Sequence, residues 1–169
     1  MSIVLLVCAD KQNILLGADL VETGDTRLGW SRIIESPGRP SEKSLAFKIP
    51  HHGSVTGHHD GVWKHLLCSK PSGFLSSFFN GSCVLPTKND INRIVKFTDK
   101  VWITTNPYVK RRSVKRDNTV ERTIRESTKS IRSISDLGQI RLRIDRRNEN
   151  AFWKADLFGA ALPLAELLI

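Results

Sequence analysis

Lys48-Ile49-Pro50-His51-His52-Gly53-Ser54 decides the reading of this chain: an apolar strand over residues 44–50 runs straight into two histidines and a glycine. Imidazole is the commonest transition-metal ligand, and a strand-to-loop junction holds it rigidly while its cavity side stays open. All five histidines (His51, His52, His58, His59 and His65) fall within residues 51–65. The first four straddle the glycine-bearing loop and point to metal or catalytic use. His65 lies in a short helix expected over residues 62–67 and reads as structural.

Upstream, residues 2–9 are almost uniformly apolar and rich in Val, Ile and Leu, which predicts a buried strand. Residues 13–19 form a second strand, antiparallel to the first as a hairpin across the polar turn Asp10-Lys11-Gln12. Asp19 closes that strand behind Gly17-Ala18. It reads either as a turn-capping carboxylate or as a metal ligand beside a histidine from the neighbouring strand end. Residues 28–35 form a helix with Leu28, Ile33 and Ile34 on one face, broken by Ser36-Pro37-Gly38-Arg39-Pro40.

Downstream, residues 74–79 and 83–85 are strand-like around the turn Asn80-Gly81. Pro86-Thr87-Lys88-Asn89-Asp90 caps a helix reaching Phe97, with Ile91, Ile94 and Val95 inward, and residues 100–105 form another strand. After Pro107 the character changes. Between residues 109 and 147 thirteen Lys or Arg face five acids, nearly the whole of the formal +9. Residues 119–134 predict a basic helix with Val120, Ile124 and Ile131 inward. Residues 138–145 alternate apolar and basic, an amphipathic strand with arginines on its wet face. Residues 151–169 form a mostly apolar tail that docks on the sheet. The alternation of strands and helices gives an α/β fold with a mixed sheet.

The chain has 169 residues, 40% of them hydrophobic and 25% charged, the proportions of a globular domain rather than of a disordered one. Its longest apolar run is far shorter than the roughly 20 residues of a membrane span. No membrane partner and no targeting segment are expected, and the cytoplasm is the expected location. Cys8, Cys68 and Cys83 are odd in number and widely spaced. They read as half-buried thiols rather than as a disulfide framework or a thiolate zinc site. The basic block would attract polyanions such as nucleic acid, or pack as a solvated face on its own protein. Few aromatic residues lie among these arginines, which argues against base stacking.

Leu15-Leu16-Gly17-Ala18-Asp19, Gly29-Trp30, Lys48 to Ser54, Gly57-His58 and Trp63 together resemble the C-terminal half of metallo-β-lactamase-fold hydrolases. The nearest branch is similar to the hydrolase domain of competence-related DNA-uptake proteins. Leu85-Pro86 and Val101-Trp102-Ile103-Thr104-Thr105 look like that family's last sheet-and-helix unit. The resemblance covers residues 1–107, leaving residues 108–169 as a basic extension with an apolar tail. It implies half of an αββα sandwich and a divalent-metal centre, zinc or manganese, that activates water against a phosphoester or related bond. Asp19 then matches the bridging aspartate and His52 the late metal-binding histidine, with His51 in its place if the register differs by one. Ser54 and His58 match the loop that lines the catalytic site.

The family's first half carries His-x-His-x-Asp-His and a further histidine. This chain has no histidine before His51. The resemblance therefore implies a truncated hydrolase, a half completed by another polypeptide that supplies the missing motif, or a non-catalytic remnant. Alternatively, the chain is a nucleic-acid-binding or partner-completing module that works through residues 109–147. A half sheet also leaves edges and apolar faces uncovered, so poor solubility or a partner is expected.

Overall fold

The computed structural model describes residues 2–8, 12–109, 116–128, 137–144 and 153–168. Its centre is a mixed six-stranded sheet in an α/β arrangement. Strands β1 (Leu5–Val7) and β2 (Ile14–Leu16) form the expected antiparallel hairpin. Helix α1 (Gly29–Glu35) then leads to β3 (Ser44–Lys48), parallel to β2. A π-helical turn, Val62–Leu66, feeds β4 (Leu67–Leu75), which is parallel to β3. The small hairpin β5 (Phe78–Asn80) and β6 (Cys83–Leu85) precedes helix α2 (Lys88–Val95) and strand β7 (Val101–Ile103), parallel to β4.

Beyond that sheet lie helix α3 (Asn118–Ser127) and the antiparallel pair β8 (Gly138–Arg143) and β9 (Lys154–Gly159). Strand β10 (Leu162–Pro163) returns to the main sheet beside β7, and a 3₁₀ turn, Leu164–Leu168, follows it. The main sheet runs β1-β2-β3-β4-β7-β10.

Helix α2 shows how local chemistry fixes an element. Thr87 accepts a hydrogen bond from the Asp90 amide, and the Asp90 carboxylate accepts from the Thr87 amide, a reciprocal capping box. Ile91 and Ile94, three apart, are both fully buried by the helix. The α1 start is capped from a distance: the Glu22 carboxylate accepts from the Ser31 amide and hydroxyl.

Strand registers sort the side chains onto two faces, because directly paired residues point the same way. Leu6, Leu15, Phe47, Leu75, Val101 and Ile103 share one face. They pack with Trp30 of α1, Val62 and Leu66 of the π-helical turn, Ile91 and Ile94 of α2, and Leu164 and Leu167 of the last turn. Phe47 meets Trp30 and Trp63 edge-on, at 6.3 and 5.4 Å between ring centroids. The other face carries Leu5, Val7, Ile14, Leu16, Ala46, Lys48, Phe74 and Trp102. It is largely apolar but carries Lys48 and Ser72; Ala46 at its centre is fully buried, whereas Leu5 and Val7 at its edge are 54% and 44% exposed.

Several expectations change here. The first strand is not buried but is an exposed edge, because nothing among the described residues covers its outer face or pairs with its free side. The strand expected at residues 74–79 begins at Leu67 and ends at Leu75; its Lys70-Pro71 segment bulges, shifting the β3–β4 register. The basic helix covers Asn118–Ser127, and Val120 is 49% exposed instead of inward; none of the helix's described residues is buried. Ile131 and residues 129–134 lie outside the described residues. Cys8 and Cys83 are exposed thiols rather than half-buried ones. The apolar tail does dock on the sheet, but as a strand and a 3₁₀ turn. No helix is long and apolar enough to cross a membrane among the described residues.

Candidate functional site

The four parallel strands β2, β3, β4 and β7 end on the same border of the sheet. In open α/β sheets the crevice outside the carboxyl ends is where ligands bind. Four segments meet there: Gly17-Ala18-Asp19 after β2, residues 49–58 after β3, Ser76-Ser77 after β4, and Thr104-Thr105 after β7. Backbone bonds stitch the first two, from Gly17 N to Lys48 O and from His51 N to Ala18 O, both 3.0 Å. Gly17 must be glycine: a Cβ there would lie 2.9 Å from the Lys48 carbonyl oxygen and from Pro50 Cβ.

His51, His52 and Gly53 take positive φ in succession, at 47°, 53° and 80°. Ala18, joined to them by hydrogen bond, has φ 46°. Each non-glycine residue held this way costs on the order of 1–3 kcal/mol, offset by the packing that fixes it. That packing is visible. The Arg93 guanidinium of α2 donates to the Gly53 carbonyl at 2.6 Å and to Asp90 at 2.7 Å. Trp30, fully buried, donates its indole N–H to the Gly57 carbonyl at 3.0 Å.

The histidines disperse into separate networks. His52 Nδ1 lies 3.1 Å from the Ser76 carbonyl and from Ser76 Oγ, with Phe78 against its ring. With Nδ1 protonated, the Ser76 carbonyl would accept from it and Nε2 would carry the free lone pair, the tautomer of a metal-binding imidazole; with Nδ1 bare, the Ser76 hydroxyl would donate to it instead. His51 Nδ1 instead meets Thr56 Oγ1 at 2.8 Å, and Ser54 Oγ meets the same hydroxyl at 3.0 Å. His58 Nε2 is 2.7 Å from the Asp60 carboxylate. Burial lowers the His58 pKa, and the opposing pull of Asp60 does not reverse it. His59 Nδ1 accepts the Gly61 amide.

Asp19 stands at the exposed end of β2, its amide bonded to Ser2 Oγ at 3.2 Å. The only charged side chain on the open sheet face among the described strand residues is Lys48. Burial pushes its ammonium pKa down, while the nearby Asp19 carboxylate pulls the other way. Of the expected site residues, Ser54 therefore joins His51 through Thr56, whereas Asp19, His52 and His58 each keep different partners. Among the described residues no three His, Cys, Asp or Glu side chains come together to hold a metal ion. The residues present do not fit a complete metal centre.

No protein-family model, no curated protein and no solved structure matches the chain. Three residues at that site escape a reading of the sequence alone. Arg93 announces itself only as the base three residues after a capping Asp. Glu22 caps α1 from seven residues upstream of its first residue. Thr56 looks like any loop threonine until His51 and Ser54 close on it.

Proposed function

We propose that this chain is one layer of a metallo-β-lactamase-like, metal-dependent hydrolase, incomplete or truncated as it stands, inactive alone and completed by a further segment, of the same or of another polypeptide, that brings the remaining metal ligands. Asp19 and His52 are its contribution to the centre, with His51, Ser54 and His58 lining the same border. The observation that carries this reading is the carboxyl border itself, where three strained non-glycine residues, Ala18, His51 and His52, are held side by side. Backbone strain costs stability and persists where the surroundings over-determine it, a pattern that clusters at active sites. Two further features support it: the His52 ring held through Nδ1 by Ser76, and the sheet face whose β1 edge stays exposed among the described residues. A divalent ion there, zinc or manganese, would supply Lewis-acid activation of water. The substrate class is a phosphoester, with a nucleic acid as the candidate suggested by the basic extension.

The test is a zinc titration of the isolated chain followed by NMR of the imidazole nitrogens. Weak, substoichiometric binding is expected, with the His52 Nε2 resonance shifting first and the response reduced at least tenfold in Asp19→Ala and in His52→Ala. A His52 resonance unmoved by zinc, or equal loading of both variants, would sink the assignment.

A nucleic-acid-binding module built on the basic extension has one observation in its favour. Gln139, Arg141 and Arg143 do line the wet face of β8 as its alternation requires. Against it, Arg141 and Arg143 both bond the Asp156 carboxylate, at 3.2 and 2.7 Å, which leaves less charge for phosphates. Binding of a short DNA duplex that collapses between 50 and 200 mM salt would favour this module over the hydrolase layer.

A further inference from the structure

We propose that β1 is a self-association edge: two copies of this chain pair β1 to β1, antiparallel about a two-fold axis at Leu5. Among the described residues no strand pairs with the free side of β1, and natural sheets normally protect such an edge with lysine, proline, a bulge or a covering loop. Ser2-Ile3-Val4-Leu5-Leu6-Val7-Cys8 contains no charge and no proline. Ile3, Leu5 and Val7 are 62%, 54% and 44% exposed along a single face.

The sequence of this edge is complementary to itself. Pairing about Leu5 sets Ile3 of each copy against Val7 of the other and Leu5 against Leu5, all on the open face. Val4 then meets Leu6 on the opposite face, where both are half-buried against the core. Neither β1 nor the adjacent residues 13–18 carry a charge, so the two-fold axis brings no like charges face to face. A two-fold contact closes on itself, so assembly stops at two copies rather than growing into a fibre. The open faces of the two sheets become one wider apolar face, still available to a second layer.

Charge elsewhere opposes the contact, because each copy carries a formal +9. Added salt screens that repulsion and should therefore tighten the dimer, the reverse of its effect on contacts between basic residues and phosphates. Five paired residues make a small interface, so a weak, reversible dimer is expected.

Sedimentation equilibrium of the full chain from about 1 to 100 µM tests this. A rise from one to two chain masses is expected, steeper at higher salt. Leu5→Lys and Leu5→Glu should each stay monomeric, because each sets like charges opposite one another at the axis. Their equimolar mixture should recover the dimer, which also shows that both variants fold. A wild-type chain that is monomeric throughout would overturn the proposal. So would a mass growing beyond two chains, a dimer indifferent to both variants, or a mixture that stays monomeric. A chain that pairs only with a different polypeptide would assign the edge to that partner instead.

Discussion

The two faces of the central sheet are made by alternate residues of the same strands, yet among the described residues one is covered out to its β1 edge and the other is exposed there. Leu6 and Leu15 lie beneath α1 and its neighbours, while Leu5 and Leu16, one position along in each strand, look outward. The residue types are the same, so hydrophobicity alone does not decide which leucine is buried. What decides it is whether the chain supplies a second layer. Helices α1 and α2, the π-helical turn and the C-terminal turn all go to one side. Among the described residues, one apolar face of the sheet lies under these elements and the other stays exposed along its β1 edge, short of the two- or three-layered arrangement from which domains are built.

The comparison breaks or sharpens most strongly at Phe47. It is 2% exposed and wedged between Trp30 and Trp63, so Phe47→Ala should destabilise the chain by about 3–5 kcal/mol in urea unfolding. On the open face Leu5→Ala should cost less than about 1 kcal/mol, measured at low micromolar concentration. Equal losses at the two positions would mean that both faces are covered and that the contrast is false.

Asp90 tests the layer that covers the closed face. Burial pushes its carboxyl pKa up, but hydrogen bonds from Thr87 and the Arg93 guanidinium outweigh burial and hold it below the usual carboxylate range. A carboxyl lowered in the folded state contributes stability above its unfolded value of about 4 and loses it as pH falls through the folded value. Asp90→Ala should therefore cost about 2–4 kcal/mol at pH 7, since it also strands Arg93. The gap between variant and wild type should close on acidification below about pH 4. A gap that is flat with pH would remove the charged capping box from the account.

These residues also show how much of the molecule is legible in its sequence. The hairpin of β1 and β2, the capping box of α2 and the arrival of a strand at His51-His52-Gly53 follow from local pattern, because each is set by neighbours in the chain. The bulged start of β4 is not legible: Ser69-Lys70-Pro71-Ser72-Gly73 has the composition of a turn, Lys70 takes φ 53°, and the strand resumes only where residues 72–74 pair with β3 and residues 73–75 with β7. The burial of the first strand is misjudged for a related reason. A run of Val, Ile and Leu records that a face is apolar, not that anything covers it. At the site, the histidine loop is legible but its supports are not. Arg93 reaches Gly53 across 40 residues and Trp30 reaches Gly57 across 27, contacts that carry no local signature.

The smallest expected effect is the sharpest check on the bare face. Val7 is 44% exposed and lies beside Ile14 on the open side of the hairpin. Val7→Thr keeps the branched shape and the strand preference while exchanging a methyl for a hydroxyl. On a wet surface the hydroxyl finds water, so stability should stay within about 0.5 kcal/mol of wild type. Binding of a hydrophobic dye should fall, because the apolar patch of Leu5, Val7, Ile14 and Leu16 is interrupted near its rim. Beneath a second layer the same hydroxyl would be buried without a partner and cost about 1–3 kcal/mol. A loss of that size in dilute chain would mean that the face is already closed, and the case for a missing layer would fall with it.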